Sequence, residues 1–281
     1  MAIIRFRPEF WSALLLTSLK RSHVYAALCN RNYEGEIRAA GDTVRITSIS
    51  RPTVNTYSRN ADISYEELTD AQRTLLVDQE KYWAFTLDDV DAAQARANVV
   101  PEAMNESAYA LRDVADRYVA SLYTGVASAN RLDAGAARVI DAAGEAYETL
   151  VDLGVKLDEA DVPEEGRWTV VPPWFHGLLK KDQRFTDASA SGTTETLRNG
   201  RVGEAAGFVI HKSNNTPNPT SDNRVIMAGV PAAMSFAEQI LKTEALRSEV
   251  RFADRVRGLH VYGAKLLRPD CLATVLADPS T

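Results

Sequence analysis

Four histidines (His23, His176, His211, His260) and two cysteines (Cys29, Cys271) are the residues of this 281-residue sequence best suited to acid–base, nucleophilic or metal chemistry. The histidines stand far apart and share no metal-ligand spacing, so each reads as an isolated core or surface residue. His23 and Cys29 lie close in sequence. A Cys–His dyad also needs an orienting group and an oxyanion hole, and neither residue has that context. Cys29 therefore reads as a small buried hydrophobe. The two cysteines sit near opposite ends without CxxC spacing, which excludes a disulfide framework or a Cys-rich zinc site and fits a reducing compartment. The carboxylate pairs Glu66/Glu67 and Glu164/Glu165 are adjacent in sequence, so their side chains point apart on a strand or helix and are not set for acid–base work. Asp88, Asp89 and Asp91 lack the glycine and glutamate of a calcium loop and read as a charged helix start. Gly200, Gly203 and Gly207 do not form GxGxxG, and neither a GxSxG elbow nor a P-loop occurs. These residues nominate no catalytic, cofactor-binding or metal-binding group.

The elements that would carry any function fit an ordinary folded composition, with 45% hydrophobic and 25% charged residues. The formal charge is −6, which excludes a strongly basic nucleic-acid binder. That sum hides an asymmetry. Residues 1–60 hold nine Lys/Arg against four Asp/Glu, while residues 61–107 hold three against eleven. A basic segment beside an acidic one suggests contact between them, within one chain or between copies. The start, MAIIRFRPEFWSALLLTSLKRS, resembles a signal peptide only superficially, because Pro8, Glu9 and Lys20 interrupt it and no small-residue cleavage site closes it. No run of 18 apolar residues suggests a membrane span.

Residues 1–40 read as an arm with a helical stripe of Phe10, Trp11, Leu14, Leu15 and Leu19. Residues 41–87 read as a long two-stranded ribbon. TVRITSIS runs out, a polar tip turns the chain, and the returning side ends in YWAFTL, with Trp83, Phe85 and Leu87 on one face. The outgoing side carries Arg45, Arg51 and Arg59, and the returning side Glu66, Glu67, Asp70, Asp78 and Glu80, a pattern suited to cross-strand pairing. An isolated ribbon is marginal in water, so a partner surface is the better explanation of its length.

The clearest helix is expected over 101–126, with Met104, Ala108, Leu111, Ala115, Tyr118 and Leu122 as its apolar stripe and the pairs Arg112/Asp116 and Asp113/Arg117 on its solvent side. Further helices are expected at about 137–157, from Pro172-Pro173 through WFHGLLKK, and at about 231–246. Strands are expected at 167–172, 207–213 and 260–267, with a Ser/Thr/Gly-rich loop at 186–200. The order gives an α+β protein rather than a regular βαβ series.

Four stretches, GDTVRI (41–46), KYWAFTLDDVDAAQA (81–95), NGRVGEAAGFVIHKSNN (199–215) and FADRVRGLHVYGAKLLRPD (252–270), together resemble the major capsid proteins of tailed double-stranded-DNA bacteriophages, which share the Johnson fold. Their order and spacing cover nearly the whole chain. The resemblance implies an N-terminal arm (1–40), an extended loop (41–87), a peripheral domain with a spine helix (88–130), an axial domain (131–250), and a C-terminal strand returning to the peripheral domain (251–281). It implies a subunit without enzymatic activity or cofactor that assembles with itself as hexamers and pentamers into an icosahedral shell around the phage genome. That shell would form in the bacterial cytoplasm and enclose DNA without reading its sequence. Arg45, Arg51, Arg59, Glu66, Glu67 and Trp83 are the expected contacts between subunits. A portal, a separate scaffolding protein and a decoration protein are the further partners it suggests. Lys81 is the only lysine in 41–87 and lies away from the loop tip, so a lysine crosslink is not expected. The alternative is an encapsulin-type compartment subunit that encloses an enzyme cargo.

Overall fold

The computed structural model describes residues 24–32, 43–49, 70–88, 99–186, 203–220, 222–248 and 252–279, with single positions at 56, 59, 62 and 250. The arm stripe at Phe10–Leu19, the ribbon tip and the 186–200 loop after Thr186 fall outside them. In chain order the elements are α1 (Tyr25–Leu28), β1 (Thr43–Ile49), β2 (Asp70–Leu76), β3 (Gln79–Asp88), α2 (Val99–Ser121), β4 (Ala137–Val139), α3 (Ala143–Glu159), β5 (Trp168–Val171), α4 (Pro173–Lys181) and α5 (Gln183–Thr186). Then follow β6 (Glu204–Ala205), β7 (Phe208–Lys212), β8 (Arg224–Gly229), β9 (Met234–Arg247), β10 (Ala253–Leu266) and β11 (Leu272–Asp278).

A mixed six-stranded sheet of order β4-β11-β8-β5-β7-β6 forms the larger body. Its strands alternate between two cores, as the period of two requires. Ile226 and Ala228 of β8, with Ala273, Val275 and Ala277 of β11, face α3 and α4, where Leu150, Leu153, Leu157, Phe175 and Leu179 are buried. Val225 and Met227 of β8, with Trp168 and Val170 of β5, face the other way, onto Ala115, Val119 and Ala120 of α2 and onto Tyr25, Ala26 and Cys29. Burying side chains of this size stabilises by roughly 1.5–3 kcal/mol each. The short β4 and β6 close the two edges of the sheet and leave little open backbone to pair with.

The second sheet is antiparallel, with order β3-β10-β9. The β9–β10 hairpin has 14 residues per strand, so it reaches roughly 45 Å. The register slips between Leu259 and His260, where Leu259 faces Lys242 and His260 faces Ile240, leaving Leu241 as a bulge. The third sheet is the ribbon β1–β2, paired over seven residues from Thr43↔Leu76 to Ile49↔Asp70.

Several expectations change. The segment expected to be helical at 231–246 is a 3₁₀ turn (Pro231–Ala233) followed by β9. Its Ala, Glu, Gln and Leu residues favour helix, but pairing with β10 along its whole length overrides that weak bias. The 137–157 helix starts later, at Ala143, because residues 137–139 pair with β11 instead. The YWAFTL segment leaves the ribbon and becomes β3, bound to β10. The strands also cross the expected division at 250/251. β9 joins the three-stranded sheet, while β11 lies between β4 and β8 of the six-stranded one. The spine helix is close to its expected span, running over Val99–Ser121 and ending in a 3₁₀ turn at Gly125.

Candidate functional site

Among the described residues, no group of three or more His, Cys, Asp or Glu side chains converges to hold a metal ion. Cys29 is buried, its thiol donates to the Tyr25 carbonyl at 3.3 Å, and burial pushes its pKa upward, which keeps it a neutral thiol. The buried His260 ring lies 3.3 Å from Glu238, whose other oxygen takes Arg31. With His260 fully covered, this cluster holds charge inside the subunit and presents nothing to a solute.

The surfaces that remain are built on the ribbon and the three-stranded sheet. The ribbon is fastened at its base. Lys265 Nζ donates to the Thr74 carbonyl at 2.8 Å, and the Tyr118 hydroxyl donates to Asp78 at 3.2 Å. Leu75 and Val77 pack into Ala237 and Val261 of the sheet. Gly263 permits this approach, because a Cβ there would meet Val77 Cα at 2.9 Å. Beyond the base, the paired strands run on toward residues 50–69.

Past the ribbon base, the same sheet face lies open. Tyr82, Ala84 and Arg257 are exposed on it, and Leu259 is half-buried. Cross-strand register sets Tyr82 opposite Leu259 and Ala84 opposite Arg257. Arg257 is held by Glu244 through Nε at 2.9 Å and Nη2 at 2.5 Å. Two adjoining depressions of about 510 and 410 Å³ follow this face to the hairpin tip. There Val250 and Phe252 are 86% and 81% exposed, unusual for apolar side chains of that size.

The residues expected to make subunit contacts are placed unevenly. Arg45 lies in β1 opposite Thr74, and Arg59 is exposed in a turn. Arg51, Glu66 and Glu67 fall outside the described residues. Backbone register between 43–49 and 70–76 sets the positions of the charged residues. Arg73 lies across from Ile46 and Asp70 across from Ile49. Trp83 is 8% exposed. It stacks on Phe85 at 5.6 Å between centroids and covers Gly258, so its indole is spent inside its own subunit. The exposed aromatic of this strand is its neighbour Tyr82, at 81%. Sequence reasoning missed Tyr82, Val250 and Phe252. Only an apolar residue set among charged neighbours, as in SEVRFADR, marked the hairpin tip.

Asp116 is also not where the pattern put it. It is 1% exposed and accepts the amide of Val24 at 2.9 Å and of Ala26 at 3.4 Å. The second expected pair does form, with Arg117 and Asp113 2.8 Å apart on the exposed side of α2.

A family model described as phage capsid protein matches residues 48–275. A solved chain from Mycobacterium phage Che8 is similar at a TM-score of 0.77 and 31% identity, over 90% of this chain and 91% of that one. The capsid structure of cyanophage P-SCSP1u has a TM-score of 0.71 at 17% identity, over 86% of this chain and 85% of that one. A virus-like particle from Pyrococcus furiosus shares the fold at a TM-score of 0.58 and 11% identity, over 95% of this chain and 98% of that one. No curated protein sequence matches.

Proposed function

The chain belongs to the phage capsid protein family and is a major capsid protein of the Johnson fold, a component of the virion, and from that premise we propose how its surfaces close the shell. Subunits gather as hexamers and pentamers around double-stranded DNA, with the six-stranded sheet and its helices α3 and α4 as the axial part. Helix α2 and the three-stranded sheet form the peripheral part. The ribbon is the strap, lying over a neighbouring copy with Arg45, Arg51, Arg59, Glu66 and Glu67 among its contacts. The open face around Tyr82 and Leu259, with the hairpin tip at Val250 and Phe252, receives neighbouring copies.

The observation that carries this reading is the ribbon. Two strands paired over seven residues, joined to the sheet through Leu75 and Val77 at the base, are marginal alone in water. A neighbour's surface supplies the missing burial, and complementary charge sets register more than affinity. The net −6 charge suits a wall that does not hold the genome tightly. The subunit performs no catalysis, and a separate scaffolding protein and a portal complete assembly in the host cytoplasm. The encapsulin-type reading has behind it only a likeness of fold.

Deleting residues 54–63 tests the strap. We expect a subunit with a normal thermal transition that forms no closed shells by electron microscopy. Stable, normally sized particles from that deletion would refute it.

A further inference from the structure

Glu164 and Glu165 stand in the turn that leads into β5, not on a helix or strand, and both are exposed. The turn is held from below. Arg167 is buried, donates to the Pro163 carbonyl at 3.0 Å and to the Val162 carbonyl at 2.5 Å, and meets Asp158 at 2.6 Å. Gly166 completes the turn at φ +73°. Neither glutamate forms an ion pair with a described residue. The turn therefore presents two unpartnered carboxylates on a fixed backbone.

A depression of about 500 Å³ lies where the last turns of α2 meet the segment that joins β7 to β8. Arg117 of α2, Tyr123 just beyond it, and Asn215, Asn218 and Arg224 line it, and among the described residues no carboxylate does. Thr216 lines it too; its side chain is buried, and its hydroxyl has no partner among the described residues. The joining segment is held in shape, with Arg224 donating to the Thr216 carbonyl at 3.1 Å and the Val225 amide to the Pro217 carbonyl at 2.9 Å. Arg117 spends part of its charge on Asp113, one turn back. In a chain of net charge −6, two guanidinium groups among amides and hydroxyls make a site for an oxyanion. A lone ion would leave most of the volume empty, whereas a peptide turn bearing carboxylates fills it.

Strands β5 and β7 run parallel, paired from Trp168↔Val209 to Val171↔Lys212. The glutamate turn precedes β5 and the wall of the depression follows β7, so the two lie at opposite ends of one strand pair and do not meet within a subunit. We propose that Glu164 and Glu165 of one copy enter the Arg117–Arg224 depression of the next, a plug-and-socket contact between neighbouring subunits. A contact made by two different patches is head-to-tail, and such contacts close into a ring when the rotation between copies closes. Opposite charge steers the approach and fixes the register. This inference rests on the ring assembly proposed above and gives it a contact away from the ribbon.

Charge reversal in the full-length subunit tests the contact. Glu164→Lys with Glu165→Lys, or Arg117→Glu alone, should leave the thermal transition unchanged and raise the concentration at which shells form about ten-fold or more at low salt, and less at high salt. All three substitutions in one chain restore opposite charges and should bring that concentration back to within about three-fold of the unsubstituted protein's. Glu165→Cys with Asn218→Cys gives a readout independent of charge: oxidised particles should yield a reducible ladder of crosslinked copies on a denaturing gel, absent from either single variant. An unchanged threshold on reversal, additive rather than compensating effects of the three substitutions, or no ladder overturns the proposal. An unsubstituted chain that forms no shells would instead overturn the assembly reading, and this contact with it.

Discussion

Gly258 and Trp83 show how little room single positions leave. A Cβ at 258 would lie 2.6 Å from the indole, which is pinned by its stack on Phe85. We expect Gly258→Ala to lower stability by about 1–3 kcal/mol, the usual range for overpacking, read as an earlier urea midpoint. The opposite opportunity exists at Ala206. Ala206 and Gly207 join β6 to β7 in a two-residue turn with φ of +50° and +78°. Such turns favour Asn-Gly, because alanine has no side-chain bond to offset the left-handed backbone. Ala206→Asn should raise the thermal midpoint, with a gain of roughly 0.5–1 kcal/mol. Sequence alone could have found that turn, since an Ala-Gly pair followed by Phe-Val-Ile reads as a hairpin. It could not have found that Asp116 is buried against the arm. An Arg112/Asp116 spacing of four residues looks like a surface pair until the arm amides, about ninety positions away, are brought beside it.

Elements were legible where local signals agreed. Helix α2 combines an early proline, acidic residues in its first turns and a 3–4 stripe, and Ala108, Leu111 and Ala115 of that stripe are buried. Strand β5 and helix α4 were likewise marked by a short apolar run and by Pro172-Pro173. Strands β8 and β11 went unseen. Runs such as RVIMAG and LATVLAD are apolar on both sides, so they carry no period to separate strand from helix. Strand β9 was misread because what decides its state is pairing with β10 and the arm, neither of which is local. The ribbon depends on an equally non-local contact. Gly263→Ala would set a Cβ against the Val77 backbone, which cannot swing aside as a side chain can. We expect that substitution to leave the two larger sheets intact while speeding amide exchange at residues 74–77 several-fold, measured by mass spectrometry.

At the scale of the whole molecule, the two larger cores lie on either side of the six-stranded sheet, whereas the most exposed large apolar side chains among the described residues, Tyr82, Val250 and Phe252, lie on or near the three-stranded one. Phe252→Asp should therefore leave the subunit's thermal transition unchanged. It should raise the protein concentration at which shells form several-fold, as expected for loss of an interface contact worth about 1 kcal/mol or more, followed by light scattering. Charge reversal at Arg51 and Arg59 should likewise impair assembly rather than folding, and more strongly at low salt, where exposed charges are least screened. A result confined to solubility would remove the charge contribution. Strand β11 adds a consequence of order in time. It is synthesised after every strand it joins, yet it fills the gap between β4 and β8. A nascent chain on the ribosome thus carries a split sheet with the β8 edge bare until residues 272–278 emerge. The six-stranded sheet cannot close before translation has passed that point.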